Sequence, residues 1–358
     1  MFYREAGDFK KSYAEDNQTF PLKLDRYGYY LLMAVAFGVV PFFINDYWAS
    51  AILIPFLVWS IAALGLNILG GYCGQISLGS GGFMAVGAYT TYKLMTSFPD
   101  LNMFVIVLLS GVVTAMVGLI FGLPSLRIKG FYLAVATLAA QFFLVWMFNK
   151  FGWFYNYSAS GQITAPAREV FGFEVTGATA TASAKYLFCL VLVVGLAWLA
   201  RNLTRGRIGR SWMAIRDMDI AAEIIGVNPL KTKLLAFAIS SFFIGVAGAL
   251  FFSVYLGAIE VGEAFGIQKS FLLLFMVIIG GLGTIFGSFI GAAFLVLMPV
   301  LLKNIMVGQL NFPIDIAAHL EFVLVGLFIM ITLVLEPRGI AQLWRFAKAK
   351  LRLWPFPH

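Results

Sequence analysis

From Ser270 to Leu302 the chain runs for thirty-three residues without a charge. As one helix that stretch would be about 50 Å long, against a hydrocarbon core of about 30 Å. Gly280-Gly281-Leu282-Gly283-Thr284 stands in its middle, and glycine lets the backbone leave the helical path there. The stretch therefore reads as two membrane helices, Ser270–Ile279 and Ile285–Leu302. Eight further apolar segments are Tyr27–Ile44, Trp48–Leu69, Gln75–Ser97, Met103–Leu123, Phe131–Phe148, Tyr186–Ala200, Leu234–Leu256 and Leu320–Leu335. Charged residues make up 12% of the chain, about half the share in ordinary soluble domains. The expected fold is an all-α polytopic membrane protein with about ten helical segments.

An even number of spans puts both ends on one side, and the charges agree. The neutral tail 1–26, Arg127 with Lys129, the loop 201–233 and the tail 336–358 together carry +10. The opposite connections, including the loop 150–185, sum to −2. Positive charge accumulates in cytoplasmic loops, so both termini and the 201–233 loop are expected to be cytoplasmic, and 150–185 external. The excess of basic residues is thereby a matter of membrane orientation and not a nucleic-acid signal. Residues 1–26 hold five basic and five acidic residues and no apolar core, so they read as a tail and not a leader.

Several chemistries lack their residues. The run nearest to a phosphate-binding loop, Gly74–Ser80, has no lysine. His319 and His358 are the two histidines, too few for a zinc or di-metal site. Cys73 and Cys189 fall at or inside apolar segments with no ligand spacing. The span interiors hold almost no carboxylates of the kind that relay protons in coupled carriers. An external energy source is therefore favoured over proton coupling. The rival from another class is a secondary carrier that works without a partner.

Three segments stand out. Gly70–Phe83 is glycine-rich, and Gly74, Gln75, Ser77, Gly79 and Ser80 are candidates for lining or gating a path, since broken backbone at membrane depth is tolerated beside protein or a water-filled route. Gly280, Gly281, Gly283, Gly287 and Gly291 form a small-residue row suited to close helix packing or a hinge. Arg201–Lys233 is a polar island with seven basic and three acidic residues. Within it Ala214–Gly226 reads as a short amphipathic helix ending at glycine. Ile220, Ile224 and Ile225 form an apolar stripe on it that suits a cleft in a soluble partner.

Four segments occur in order: Gly70–Gly87 (GGYCGQISLGSGGFMAVG), Leu126–Thr137 (LRIKGFYLAVAT), Gly206–Gly248 and Met276–Ala292 (MVIIGGLGTIFGSFIGA). By them the chain resembles the LivM/LivH family of inner-membrane permeases of branched-chain amino-acid ABC importers, the LivM type in particular. The resemblance implies a type II importer-like permease in a bacterial inner membrane. It would pair with a homologous second permease, two cytoplasmic ATPases and a periplasmic substrate-binding protein. No cofactor belongs to this chain on that reading; ATP and Mg are held by the partners, and the chain itself is not an enzyme. Ala214–Gly226 matches the family's cytoplasmic loop, which makes Arg216, Asp217, Ala221, Ala222, Glu223 and Gly226 the expected ATPase-coupling residues. The outer loop departs from the family, since Ser158–Ala167 keeps only a faint version of its Thr-Gly-Gly and Gly-Ile-Pro-like turns. Urea and short-amide importers share this permease type and are the alternative solutes.

Overall fold

The computed structural model describes residues 11–12, 23–125, 131–177, 179–310, 313–335 and 339–353. Helix α1 (Lys23–Ala34) continues through a π turn, Val35–Val39, into Val40–Phe43. Asn45 then caps α2 (Asp46–Tyr72), its side-chain oxygen accepting a hydrogen bond from Trp48 N at 2.9 Å. Next come α3 (Ser80–Ser97), α4 (Met103–Ser125) and α5 (Phe131–Lys150). After the 150–185 connection follow α6 (Ala182–Arg205), α7 (Arg207–Ile224), α8 (Pro229–Leu256) and α9 (Val261–Gly280). The chain closes with α10 (Ile285–Lys303), α11 (Ile314–Leu335) and α12 (Ile340–Leu353).

Among the described residues eight helices are long and apolar enough to cross a membrane: α1, α2, α4, α5, α6, α8, α9 and α10. The chain is a multi-pass helical membrane protein. The other two predicted segments are α3 and α11. Lys93 and three threonines keep the eighteen residues of α3 less apolar. Helix α11 is 22 residues long, with an apolar stretch at Val323–Thr332. Several boundaries move from those expected. The predicted Gln75–Ser97 begins as helix only at Ser80, because residues 74–79 take no helical turn. The predicted Ser270–Ile279 starts earlier, at Ile267, behind a separate turn Val261–Ala264 of the same span, and Tyr186–Ala200 extends to Ala182–Arg205. Arg127 and Lys129 lie outside the described residues, as do most of the N-terminal tail and the end of the C-terminal one.

Helices α2 and α8 form the centre. Residues Leu57–Leu69 of α2 and Phe243–Val254 of α8 are buried on all sides, as expected of helices apolar all round. Lipid gives no hydrophobic drive between such helices, so close approach has to come from small side chains. Gly87 of α3 lies against the backbone of Gly245 in α8, and Gly248 against that of Met84, so closely that a Cβ at either would overlap its neighbour. Helix α4 joins the same seam. Its Ser110 Oγ lies 2.8 Å from Thr91 Oγ1, and Thr114 fills the space over Gly245. Helix α1 is peripheral, with no buried residue in its apolar stretch. It is held to α6 by Tyr186 Oη and Ser183 Oγ, which donate to Ala36 O and Pro41 O at 3.2 and 2.8 Å.

The 150–185 connection is folded. Strand β1 (Ile163–Thr164) pairs antiparallel with β4 (Ala258–Ile259), nearly a hundred residues later. Strands β2 (Arg168–Val170) and β3 (Phe173–Thr176) form a hairpin. Its turn residues, Phe171 and Gly172, both have positive φ, +54° and +81°, the sense that matches strand twist in two-residue hairpins. The cap is fixed to the end of α3. Arg168 Nη2 donates to Met95 O, and Lys93 donates to Asn156 Oδ1 while lying 4.2 Å over the Trp153 ring.

Candidate functional site

The glycine-rich segment after α2, the break between α9 and α10, and the polar helix α7 meet at one junction. Helix α9 ends at Gly280, and Gly281 and Gly283 turn the chain with φ +119° and +74°. Thr284 Oγ1 then accepts from Gly287 N at 3.2 Å and caps α10. This break is held from outside by Asn67, a buried residue of α2. Its Nδ2 donates to Thr284 O at 2.7 Å and to Ser288 Oγ at 2.9 Å, and its Oδ1 accepts from Gly283 N at 2.8 Å. One amide side chain thus satisfies two backbone groups that the break sets free. One turn on, Gly71 lies so close that a Cβ there would overlap Asn67 Oδ1 and Gly283 N and stand 2.9 Å from Gly283 Cα.

Arg216 of α7 reaches this junction. Its Nη1 donates to Gly71 O at 2.9 Å, while Nε and Nη2 donate to Asp217 Oδ1 at 3.0 and 2.9 Å. Asp217 thereby holds the guanidinium in the plane from which it addresses the carbonyl. Gly74, with φ +73°, lies under the same side chain: a Cβ would stand 2.9 Å from Arg216 Cγ. Gly339, at the head of α12, closes on the break from another side, 2.5 Å from its would-be Cβ to Gly281 Cα.

Helix α7 has two parts. The predicted single helix Ala214–Gly226 is corrected: the helix starts at Arg207 and is interrupted at Met218, whose backbone is extended. The first part is anchored. Trp212 is fully buried and donates from Nε1 to Thr232 O at 3.2 Å, and Ile215 is buried beside it. The second part projects. Ile220, Ile224 and Ile225 are 65%, 81% and 75% exposed, large apolar side chains on a polar segment. Ala221 and Glu223 are exposed there too, and Ala222 is buried. Gly226, with φ +90°, ends the helix, and Val227 N donates back to Ala222 O at 2.9 Å, the bond of a glycine C-cap. Arg216 and Asp217 therefore sit on the anchored side of the Met218 break, and Ala221–Gly226 on the projecting side.

The other predicted residues lie close by. Residues 74–79 run without helical turns into the bundle, to the start of α3. There Gly81 N donates to Ser270 Oγ at 2.8 Å, Gly82 N to Gln141 Oε1, and Leu78 N to Thr137 Oγ1 at 2.9 Å. Gln141 Nε2 donates onward to Phe265 O at 2.7 Å. Ser270 stands ten residues before Gly280, about 15 Å along α9, so α3 begins about that far from the break. Ser77 Oγ accepts from Gly79 N at 3.3 Å. Gln75 Oε1 and Ser80 Oγ are buried with no hydrogen-bond partner among the described residues. Gly287 and Gly291 of α10 pack on the end of α9, against Gly280 and Met276 O, inside this chain. Asn67, Gln141, Thr137, Ser270 and Ser288 were not singled out from the sequence. Their signal is a neutral polar side chain inside an apolar span.

Cys73 lies two residues beyond Gly71, buried, and burial pushes its thiol up to about 12. It is therefore protonated at neutral pH and a poor nucleophile. A maleimide at neutral pH is expected to leave Cys73 unmodified in the folded protein and to label it after denaturation, read by mass spectrometry. Rapid labelling of the folded protein would mean that the junction is open.

The family profile described as "Branched-chain amino acid transport system / permease component" matches residues 48–334. The high-affinity branched-chain amino acid transport system permease protein LivM of Salmonella typhimurium is 32% identical over 268 residues, 69% of this chain and 62% of that protein. The protein of the same name from Escherichia coli K12 gives the same figures. The matched stretch thus spans 62% of the length of these two relatives. A probable branched-chain amino acid transport permease protein LivM from Methanocaldococcus jannaschii is 24% identical over 331 residues, 81% of this chain and 92% of that protein. No solved structure matches the chain.

Proposed function

The chain belongs to the family of branched-chain amino acid transport system permease components, and on that premise we propose that it is one permease subunit of an ATP-driven importer of branched-chain or related small amino acids. It works in a bacterial inner membrane with a homologous second permease, two cytoplasmic ATPases and a periplasmic binding protein. The 201–233 loop and both tails face the cytoplasm, in line with their positive charge, and the β1–β4 cap faces outward.

The observation that carries this reading is the hydrogen bond from Arg216 to Gly71 O. An ATPase groove takes the exposed tip Ile220–Gly226 by its apolar side chains. Displacement of the tip moves the anchored part of α7, and Arg216 passes that motion to Gly71 and so to the glycine break. Residues 74–80 then line the path. Their Gln75 Oε1 and Ser80 Oγ, buried with no hydrogen-bond partner among the described residues, support this, since buried polar groups are normally satisfied. ATP and Mg act in the ATPase subunits, and this chain supplies no catalytic group.

The test is purification of the tagged chain in mild detergent with its partners identified. Co-purification of ATPases and a second permease is expected. Ile224→Asp is expected to weaken ATPase attachment about 30-fold, the loss of one apolar anchor, with insertion unchanged. Glu223→Arg is expected to weaken it as well. Solute uptake by this chain alone, without ATP, would sink the proposal.

A further inference from the structure

A groove of about 320 Å³ runs between α10 and α12, lined by Phe286, Ile290, Ile340, Leu343, Trp344 and Ala347. Its lining is almost wholly apolar, yet it is open: Phe286, Leu343 and Trp344 are 53%, 49% and 53% exposed. Ile340, Leu343, Trp344 and Ala347 fall at i, i+3, i+4 and i+7, one face of a helix. The rest of α12 is basic. Arg345, Lys348, Lys350 and Arg352 stand in Ile340–Leu353 with no acidic residue. Lys348 binds Asp25 of α1 at 2.5 Å, which fixes α12 beside the start of that span, and Arg345 and Lys350 are exposed. Phe286 sits in the first turn of α10 and faces Trp344 with ring centroids 6.3 Å apart. The groove therefore lies at the end of a membrane helix, at the level of the bilayer surface, where tryptophan concentrates.

We propose that this groove seats an acyl chain of an anionic phospholipid, whose headgroup is held by Arg345 and Lys350. Hydrocarbon is the solvent beside α10, and an open apolar groove there fills with lipid chain. A cluster of basic residues on an amphipathic helix next to a span selects anionic headgroups. Charge complementarity decides the class of lipid: with Lys348 paired to Asp25, Arg345, Lys350 and Arg352 remain against no carboxylate on α12 and suit phosphatidylglycerol better than a zwitterionic lipid. The site abuts the glycine break through Gly339 and Gly281. The inference rests on the chain being a membrane protein and is independent of the importer assignment.

The experiment places a fluorophore on Leu343→Cys in the purified full chain, reconstituted in phosphatidylcholine nanodiscs. Cys73 and Cys189 are buried and contribute little labelling. A minor fraction of either phosphatidylglycerol or phosphatidylcholine carries brominated chains, which quench on contact. Brominated phosphatidylglycerol is expected to quench several-fold more than brominated phosphatidylcholine at equal fraction. Arg345→Gln and Lys350→Gln are each expected to lower that preference toward equal quenching. A fluorophore on Met116→Cys, 59% exposed on α4, is expected to be quenched equally by both lipids and so verifies insertion. Equal quenching of the Leu343 label by both lipids would overturn the headgroup selection. Absence of quenching by either would show that the groove is covered by protein, a soluble partner included, and would overturn the proposal.

Discussion

Arg216→Ala is expected to lower ATP-driven uptake by roughly 5- to 150-fold, the range of a coupling free energy of 1–3 kcal/mol. The chain should still insert and still hold the ATPases. The side chain is the link between α7 and Gly71 O, and alanine reaches neither Gly71 nor Asp217. The projecting tip and its Ile220, Ile224 and Ile225 are untouched, so ATP hydrolysis continues without matching transport. Arg216→Lys keeps the charge, but one ammonium does not reproduce the planar fork that serves Asp217 and Gly71 together, so an intermediate loss is expected. Uptake and hydrolysis measured in parallel in proteoliposomes decide the point. Unchanged uptake per ATP in Arg216→Ala would remove the residue from the coupling path.

Gly71→Ala should cost about 2–6 kcal/mol of stability, the sum of overpacking and an unsatisfied buried backbone group. The new methyl overlaps Gly283 N and Asn67 Oδ1, and those two atoms are themselves hydrogen-bonded at 2.8 Å. Neither can withdraw without breaking that bond, because Gly283 belongs to the turn that ends α9 and Asn67 is buried in α2. Thermal unfolding in detergent is the measurement, with Gly195→Ala as the comparison. Nothing lies within 4 Å of a Cβ at Gly195, so that change should be neutral or slightly stabilising, as glycine to alanine is within a helix. Equal melting temperatures for the two variants would mean that α2 and the break are not in contact.

The membrane fold was legible because its strongest signal is local: long uncharged runs with glycine between them. The break at Gly280–Thr284 could be placed from the length of the uncharged run and the glycines at its middle. Helix ends were less legible, since α-helical and non-helical backbone at residues 74–79 have the same apolar and glycine-rich composition. Thr137 satisfies Leu78 N within that segment, and Ser270 and Gln141 satisfy Gly81 N and Gly82 N in the first turn of α3, all three from distant parts of the chain. The break at Met218 had no residue signal, as methionine is a good helix former. The β1–β4 pair was hidden for a similar reason, two-residue strands almost a hundred positions apart. Within the candidate site the three segments were visible one by one from glycine spacing and charge. Their meeting was not, because it depends on Asn67 and on the reach of Arg216, single side chains whose partners lie 216 and 145 residues away.

The most direct measurement uses spin labels at Arg210→Cys on α7 and Leu282→Cys in the break, both exposed. Their separation is followed with and without ATP in the reconstituted importer. If Arg216 transmits the motion of α7, ATP should shift the distance distribution when Arg216 is present, and a different shift, with Leu282 left behind, should appear in Arg216→Ala. Identical ATP-dependent distributions with and without Arg216 would contradict the coupling path through Gly71 and the glycine break.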